Sequence, residues 1–155
     1  MKFKKLSALI LALALCLVPL TSFASPEVLE PDFAGNTDSL IEIKNPEASV
    51  SSTTSTSFVI SAVAANGTTV TLYTPDAATG KYIKMYSADG VALESVVGAA
   101  GLYAQNLELT YGTNNILVVA TGADGLVETS KLEITLVKTN LIDAIKNIWQ
   151  SIISQ

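Results

Sequence analysis

The run Leu109-Thr110-Tyr111-Gly112-Thr113-Asn114-Asn115-Ile116-Leu117-Val118-Val119-Ala120 sets a turn directly before a strand. Gly112 can take a positive φ at the turn, and the Asn114 side chain can bond to the turn's own backbone. Beyond the turn, Ile116, Val118 and Ala120 share one face at the period of two of an extended chain. Leu117 and Val119 take the other face. The strand is therefore apolar on both sides, and each side needs a cover.

The same alternation recurs outward from this run. Leu40 to Lys44 reads as a short first strand stopped by Asn45-Pro46, and the Ser/Thr tract from Ser51 to Ser57 as a loop running into a strand. Phe58, Ile60, Ala62 and Ala64 alternate with Val59, Ser61 and Val63; Val70 and Leu72 follow. Tyr82 to Tyr86 and Val91 to Val97 flank Ser87-Ala88-Asp89-Gly90. Tyr103 to Leu109 is a further run, and Ile116 to Thr121 and Val127 to Val137 flank Gly122-Ala123-Asp124-Gly125. This gives seven to eight short strands at spacings of roughly 8–12 residues with Asx-Gly turns, the signature of a sandwich or barrel rather than of βαβ units. Asn66-Gly67 suits either a tight hairpin or a corner between two sheets.

Read as L-x-x-G-x-N-x-I-x-V-x-A, residues 109–120 resemble the last strands of the bacterial Ig-like domains, with Gly125 and the alternating Leu132, Ile134 and Leu136 after them. Phe58 to Leu72 resembles the second and third strands of the same family. The resemblance covers about residues 40–138 and implies an antiparallel sandwich used as a module in secreted enzymes and surface proteins. It implies no fixed active site. Residues 74–101 are longer and less patterned than the family, and the terminal helix lies outside it.

The two ends read differently. Residues 1–24 join Lys2, Lys4 and Lys5 to an apolar run from Leu6 to Leu20 and then to Ser22-Phe23-Ala24. A basic stub, an apolar core and a small-x-small site make a secretory signal peptide cut before Ser25. The run is shorter than the roughly 18–20 residues needed to span a bilayer, and Leu15 before Cys16 disfavours lipidation. Cleavage leaves 131 residues with no Cys, His or Arg, and six Lys against fourteen acids give a net charge of −8. Metal-ligand pairs, Cys–His chemistry and phosphate clamps drop out with those residue types, and an acidic surface is a poor match for nucleic acid or anionic lipid. Residues 25–38 carry four acids, two prolines and no base, which predicts an extended or disordered acidic arm. Pro26 and Pro31 make it a weak donor strand.

At the other end, residues 139–155 predict a helix capped by Asn140. Leu141, Ile142, Ile145, Ile148, Trp149, Ile152 and Ile153 form one apolar stripe at period 3.6. A helix this short is marginal alone in water, so the stripe must dock. One site is its own sandwich, over Leu117 and Val119; the other is a partner.

Catalysis has little to rest on. Asp76, Asp89 and Asp124 each sit near a Gly, but a calcium loop needs several oxygen ligands at fixed spacing and each turn offers one acid. No catalytic residue, metal or cofactor is expected. Tyr73, Tyr82, Tyr86 and Tyr103 are candidates for stacking on a sugar, with Tyr111 beside them in sequence. The expected whole is all-β: residues 39–138 as an Ig-like antiparallel β-sandwich of seven to eight strands, with one C-terminal amphipathic helix. The expected role is a secreted or envelope-associated, non-catalytic binding or structural module that engages an unidentified protein or cell-surface glycan. A tyrosine-based carbohydrate-binding module is the alternative, and a small secreted hydrolase the remote one. Self-association through the helix is a further expectation; nucleic acid and membrane are not expected partners after cleavage.

Overall fold

The two-sided strand sits at the centre of the larger of two sheets, which is where its pattern requires it to be. The computed structural model describes residues 25–153. The signal-peptide reading falls on 1–24, outside the described residues. Ten strands run in order: β1 (Val28–Leu29), β2 (Ile41–Asn45), β3 (Val50–Thr53), β4 (Ser57–Ala64), β5 (Thr69–Pro75), β6 (Tyr82–Lys84), β7 (Glu94–Val96), β8 (Leu102–Glu108), β9 (Gly112–Thr121) and β10 (Val127–Leu136). One helix among the described residues, α1 (Thr139–Ile153), follows. Among the described residues no helix is long and apolar enough to cross a membrane.

The seven-stranded sheet has the order β1-β6-β5-β9-β10-β3. Strand β5 also pairs β7 at its start, Thr69–Thr71, and β6 at its end, Tyr73–Pro75. The three-stranded sheet is β2-β4-β8. Between the two lies the main core. Ile60, Ala62, Tyr103 and Leu107 come from the small sheet; Val70, Leu72, Ile116, Val118, Ala120, Leu132 and Ile134 come from the large one. The inward set expected on β9 is the one found. Gly112 has φ +93°. Asn114 Oδ1 accepts from the Thr110 N–H at 2.9 Å, and its Nδ2 donates to the Thr110, Gly112 and Ile134 carbonyls at 2.8, 3.1 and 3.1 Å.

Asn66-Gly67 is the corner rather than a hairpin: it carries the chain from β4 in one sheet to β5 in the other. Three expectations need correction. The strands number ten among the described residues, because β1 and β3 add two short edge strands, each with a single neighbour, to the eight expected. The Ser/Thr tract is not simply loop: Val50–Thr53 is a strand on the edge of the large sheet, where β-branched residues suffice and no apolar alternation is required. That strand runs parallel to β10, so the large sheet is not wholly antiparallel.

The third correction bears most on function. Residues 25–38 are not a free arm but a strap across the outer face of the large sheet. Strand β1 fits between Pro26 and Pro31 and pairs antiparallel with β6, so neither proline has to supply a ladder N–H. Leu29 and Phe33 pack on Tyr73, Leu117 and Val119, the outward row. Farther along, the Asn36 and Thr37 N–H groups donate to the Val127 carbonyl at 2.7 and 3.2 Å. Glu128 Oε2 accepts from the Leu40 and Ile41 N–H groups at 2.7 and 3.0 Å. Gly35 allows this approach, since a Cβ there would stand 2.6 Å from the Val127 carbonyl oxygen. Composition favoured disorder; two apolar side chains and a row that needed a cover outweigh it.

Candidate functional site

Two features stand out: a polar cluster under the start of the strap, buried at Lys84 and open at Glu27 and Tyr86, and an uncovered helix face. The cluster follows from register. Thr71 on β5 lies opposite Glu94 on β7, and Tyr73 opposite Lys84 on β6. These side chains share the outer face of the large sheet, and residues 25–27 run over them. Lys84 Nζ donates to the Ser25 carbonyl at 2.5 Å and lies 3.2 Å from Glu27 Oε1 and 3.3 Å from Glu94 Oε2. Its side chain is 3% exposed. Glu94 Oε2 also accepts from the Ser25 N–H and from Thr71 Oγ1, both at 3.2 Å. Ser25 Oγ is 2.8 Å from Thr71 Oγ1. The Tyr73 hydroxyl donates to the Pro26 carbonyl at 2.8 Å, and the Tyr86 hydroxyl donates to Glu27.

The electrostatics follow from that geometry. Burial works against the Lys84 ammonium, but its bonds to Glu27 and Glu94 outweigh the loss of water, and it titrates above the ordinary lysine value. Burial likewise raises the Glu94 carboxyl, and hydrogen bonds from Ser25 and Lys84 more than reverse this, leaving it below the ordinary range. The Tyr86 hydroxyl, then Lys84, hold Glu27 low. Burial, reinforced by the Glu94 and Glu27 charges, pushes the Tyr73 phenol up to about 12. Every polar group here is spent on another. The cluster is a clasp, with no free nucleophile or base aimed into a cavity.

The groove beside the strap offers no converging chemistry. A groove of about 650 Å³ beside Ser25 and Pro26, lined also by Gly67, Thr69 and the β9–β10 turn, carries one carboxylate, Asp124. That carboxylate accepts from the Leu126 N–H at 3.1 Å. Asp76 is likewise turned inward on its own loop, bonded to Thr79 Oγ1 at 2.6 Å and to the Ala78 N–H at 3.2 Å. Among the described residues no three acids, His or Cys gather as a metal site.

The tyrosines do not form one stacking platform. Tyr73 is fully buried under the strap, and Tyr103 is buried between the sheets. Burial pushes the Tyr103 phenol well above its ordinary value, and its hydroxyl has no protein partner. Tyr82 is half-buried, with Lys131 Nζ 5.9 Å from its ring centre. Tyr86 is exposed, but its hydroxyl is tied to Glu27. Tyr111 is exposed with Lys138 Nζ 5.4 Å from its ring centre. Alternation placed tyrosines on strands correctly; it carried no information on which faces another segment would cover.

The helix also departs from expectation. None of its described side chains packs on Leu117 and Val119, which the strap covers. Ile145, Ile148, Trp149, Ile152 and Ile153 are 53–75% exposed. The side chains of Leu141 and Ile142 lie outside the described residues. Sequence reasoning missed Lys84, Glu94 and Glu27 altogether. The signal was there: a Lys at the same parity as Tyr82 and Tyr86 in an otherwise apolar run, with an acid on the strand that follows. The chain matches no protein-family model and no curated protein.

Proposed function

We propose that this chain is a secreted, non-catalytic binding or structural module that works at or outside the cell envelope and engages a protein through α1. The observation that carries the reading is the helix face: five large apolar side chains stand exposed on a helix too short to hold itself in water. Contiguous exposed apolar surface of this kind marks interaction sites. A non-catalytic role is supported by the mutually bonded polar cluster and by carboxylates bonded within their own turns. We also read the sandwich as Ig-like. The arrangement of β2-β4-β8 against β5-β9-β10 supports this, since it matches the pairing of first, second and fifth strands against third, sixth and seventh. Pairing of β7 with β5, and the strap, are additions to that plan.

Capture of a defined extracellular protein by residues 25–155, lost in Ile148→Asp and in a chain ending at residue 138, would support the reading. Retention of the same protein by the shortened chain would overturn it. Glycan-array binding that survives both changes and is lost on Tyr111→Ala or Tyr86→Ala would move the role to carbohydrate.

A further inference from the structure

We propose that Thr71, Lys84 and Glu94 form a seat for a free α-ammonium group at Ser25, so that removal of the preceding segment completes the clasp. The proposal rests on the export reading for the cut itself, while the seat stands on its own geometry. All three polar groups of Ser25 are held. Its nitrogen faces Glu94 Oε2 at 3.2 Å, its carbonyl accepts from Lys84 Nζ at 2.5 Å, and its hydroxyl lies 2.8 Å from Thr71 Oγ1. Thr71 is 1% exposed and the Lys84 side chain 3%. An ordinary strap residue in an acidic segment does not need three dedicated partners on three strands.

The charge count points the same way. Two carboxylates, Glu27 and Glu94, surround one buried ammonium, Lys84. The other groups facing them, Tyr73, Tyr86 and Thr71, are neutral at pH 7, and Asp124 on the adjoining groove adds negative charge. A second cation at Ser25 N brings the pairing to two and two. A peptide N–H gives Glu94 one neutral donor; an ammonium gives three donors and a full charge, and charge-assisted bonds are about twice as strong.

The cut that produces this group is hydrolysis of the Ala24–Ser25 peptide bond by an envelope endopeptidase with one water. Hydroxyl adds to the Ala24 carbonyl carbon, which leaves as a carboxylate. The Ser25 nitrogen, released as the C–N bond breaks, takes the water's other proton and, through solvent, the proton that the new Ala24 carboxyl sheds, and becomes the ammonium. Ser22-Phe23-Ala24 supplies the small-x-small pattern at that bond. Processing and locking of the strap are thereby one event, and a chain retaining even one extra residue carries its ammonium on that residue and leaves a neutral peptide N–H facing Glu94.

The test uses purified chains that begin at Ser25, released in vitro from a fusion that leaves a native Ser25, and the same chain with Ala24 retained. Each is made with Glu94 and with Glu94→Gln. At pH 7 the Ser25 chain should melt about 5 °C above the Ala24 chain, and the gap should vanish with Glu94→Gln. The gap should also close as the pH is raised past the pKa of the seated amine, which NMR should find above the value of about 8 for a free α-amine. Equal melting of the two Glu94 chains, a gap that persists with Glu94→Gln, or an α-amine titrating as if exposed would overturn the seat. Mass spectrometry of the exported protein showing a start other than Ser25 would overturn the processing step and with it the export reading's cut, independently of the melting result.

Discussion

Leu29→Ala separates a packed strap from a free arm. Leu29 is 5% exposed and rests with Tyr73, Leu117 and Val119, while its neighbour Val28 is 49% exposed on the other side of the same two-residue strand. The substitution removes three buried carbons, worth about 0.8 kcal/mol each by transfer, or about 2.4 kcal/mol together. A cavity cost would add to this in a rigid core. A surface strap can settle inward, so the total should stay near 2–3 kcal/mol. For a domain of this size each kcal/mol shifts Tm by about 4 °C, which puts the Leu29→Ala midpoint about 10 °C below the parent by circular dichroism. Val28→Ala should stay within about 0.5 kcal/mol, because its side chain already meets water. Urea unfolding of both variants should give unchanged slopes, since the surface exposed on unfolding scarcely differs. If the two variants shift equally, or Leu29→Ala shifts nothing, then the segment is free in solution and the argument from the outward row is wrong.

Tyr103→Phe should raise stability by about 1 kcal/mol in urea titration, because it removes a buried hydroxyl that has no protein partner while keeping the ring that fills the core. Glu27, Glu94 and Asp76 are held low, so their contribution is present above the unfolded carboxyl value of about 4.3 and is lost as pH falls through their folded values; Lys84 is held high, so its contribution is present below about 10.4 and is lost as pH rises past its folded value. Melting temperature should therefore fall below about pH 5 and above about pH 10, with an earlier decline above about pH 8 in the chain that begins at Ser25 as its seated amine loses its proton, and a flat acid limb would show that the clasp does not form. Trp149, 61% exposed, should emit like free tryptophan in dilute solution; emission already blue at the lowest concentrations would mean that α1 docks on its own domain.

How much of this was legible in the chain depends on the range of the contact. The turn at Gly112 and Asn114, the inward parity of Ile116, Val118 and Ala120, and the Asx-Gly punctuation are local, and each was readable because the residue that makes the feature lies within a few positions of its partner. The clasp is not local. Lys84 and Ser25 are 59 residues apart, and Ser25 and Glu94 are 69. Nothing near Lys84 says that a segment will cross above it. The strap was misread for a related reason: its acids face water, Lys81 or Lys84, and composition counts them without regard to direction. Leu29 and Phe33, the two side chains of the fourteen residues that pack on the outward row, settle its fate.

The uncovered helix is a consequence of that strap. Leu117 and Val119 demanded a cover, and α1 demanded a surface, so pairing the two demands was the economical reading from sequence. The chain meets the first demand from its other end, with Leu29 and Phe33 over the row and Lys84 clasping residues 25–27. Once that face is closed, α1 has no equivalent apolar row waiting on the described surface of its own large sheet, and its five exposed apolar side chains keep their demand. At about 25 cal/mol per Å² of apolar surface removed from water, a stripe of isoleucines and one tryptophan is a substantial driving force for association. The strap and the free helix are thus a single arrangement: ordering the N-terminal segment on the domain is what leaves the C-terminal helix available to something else.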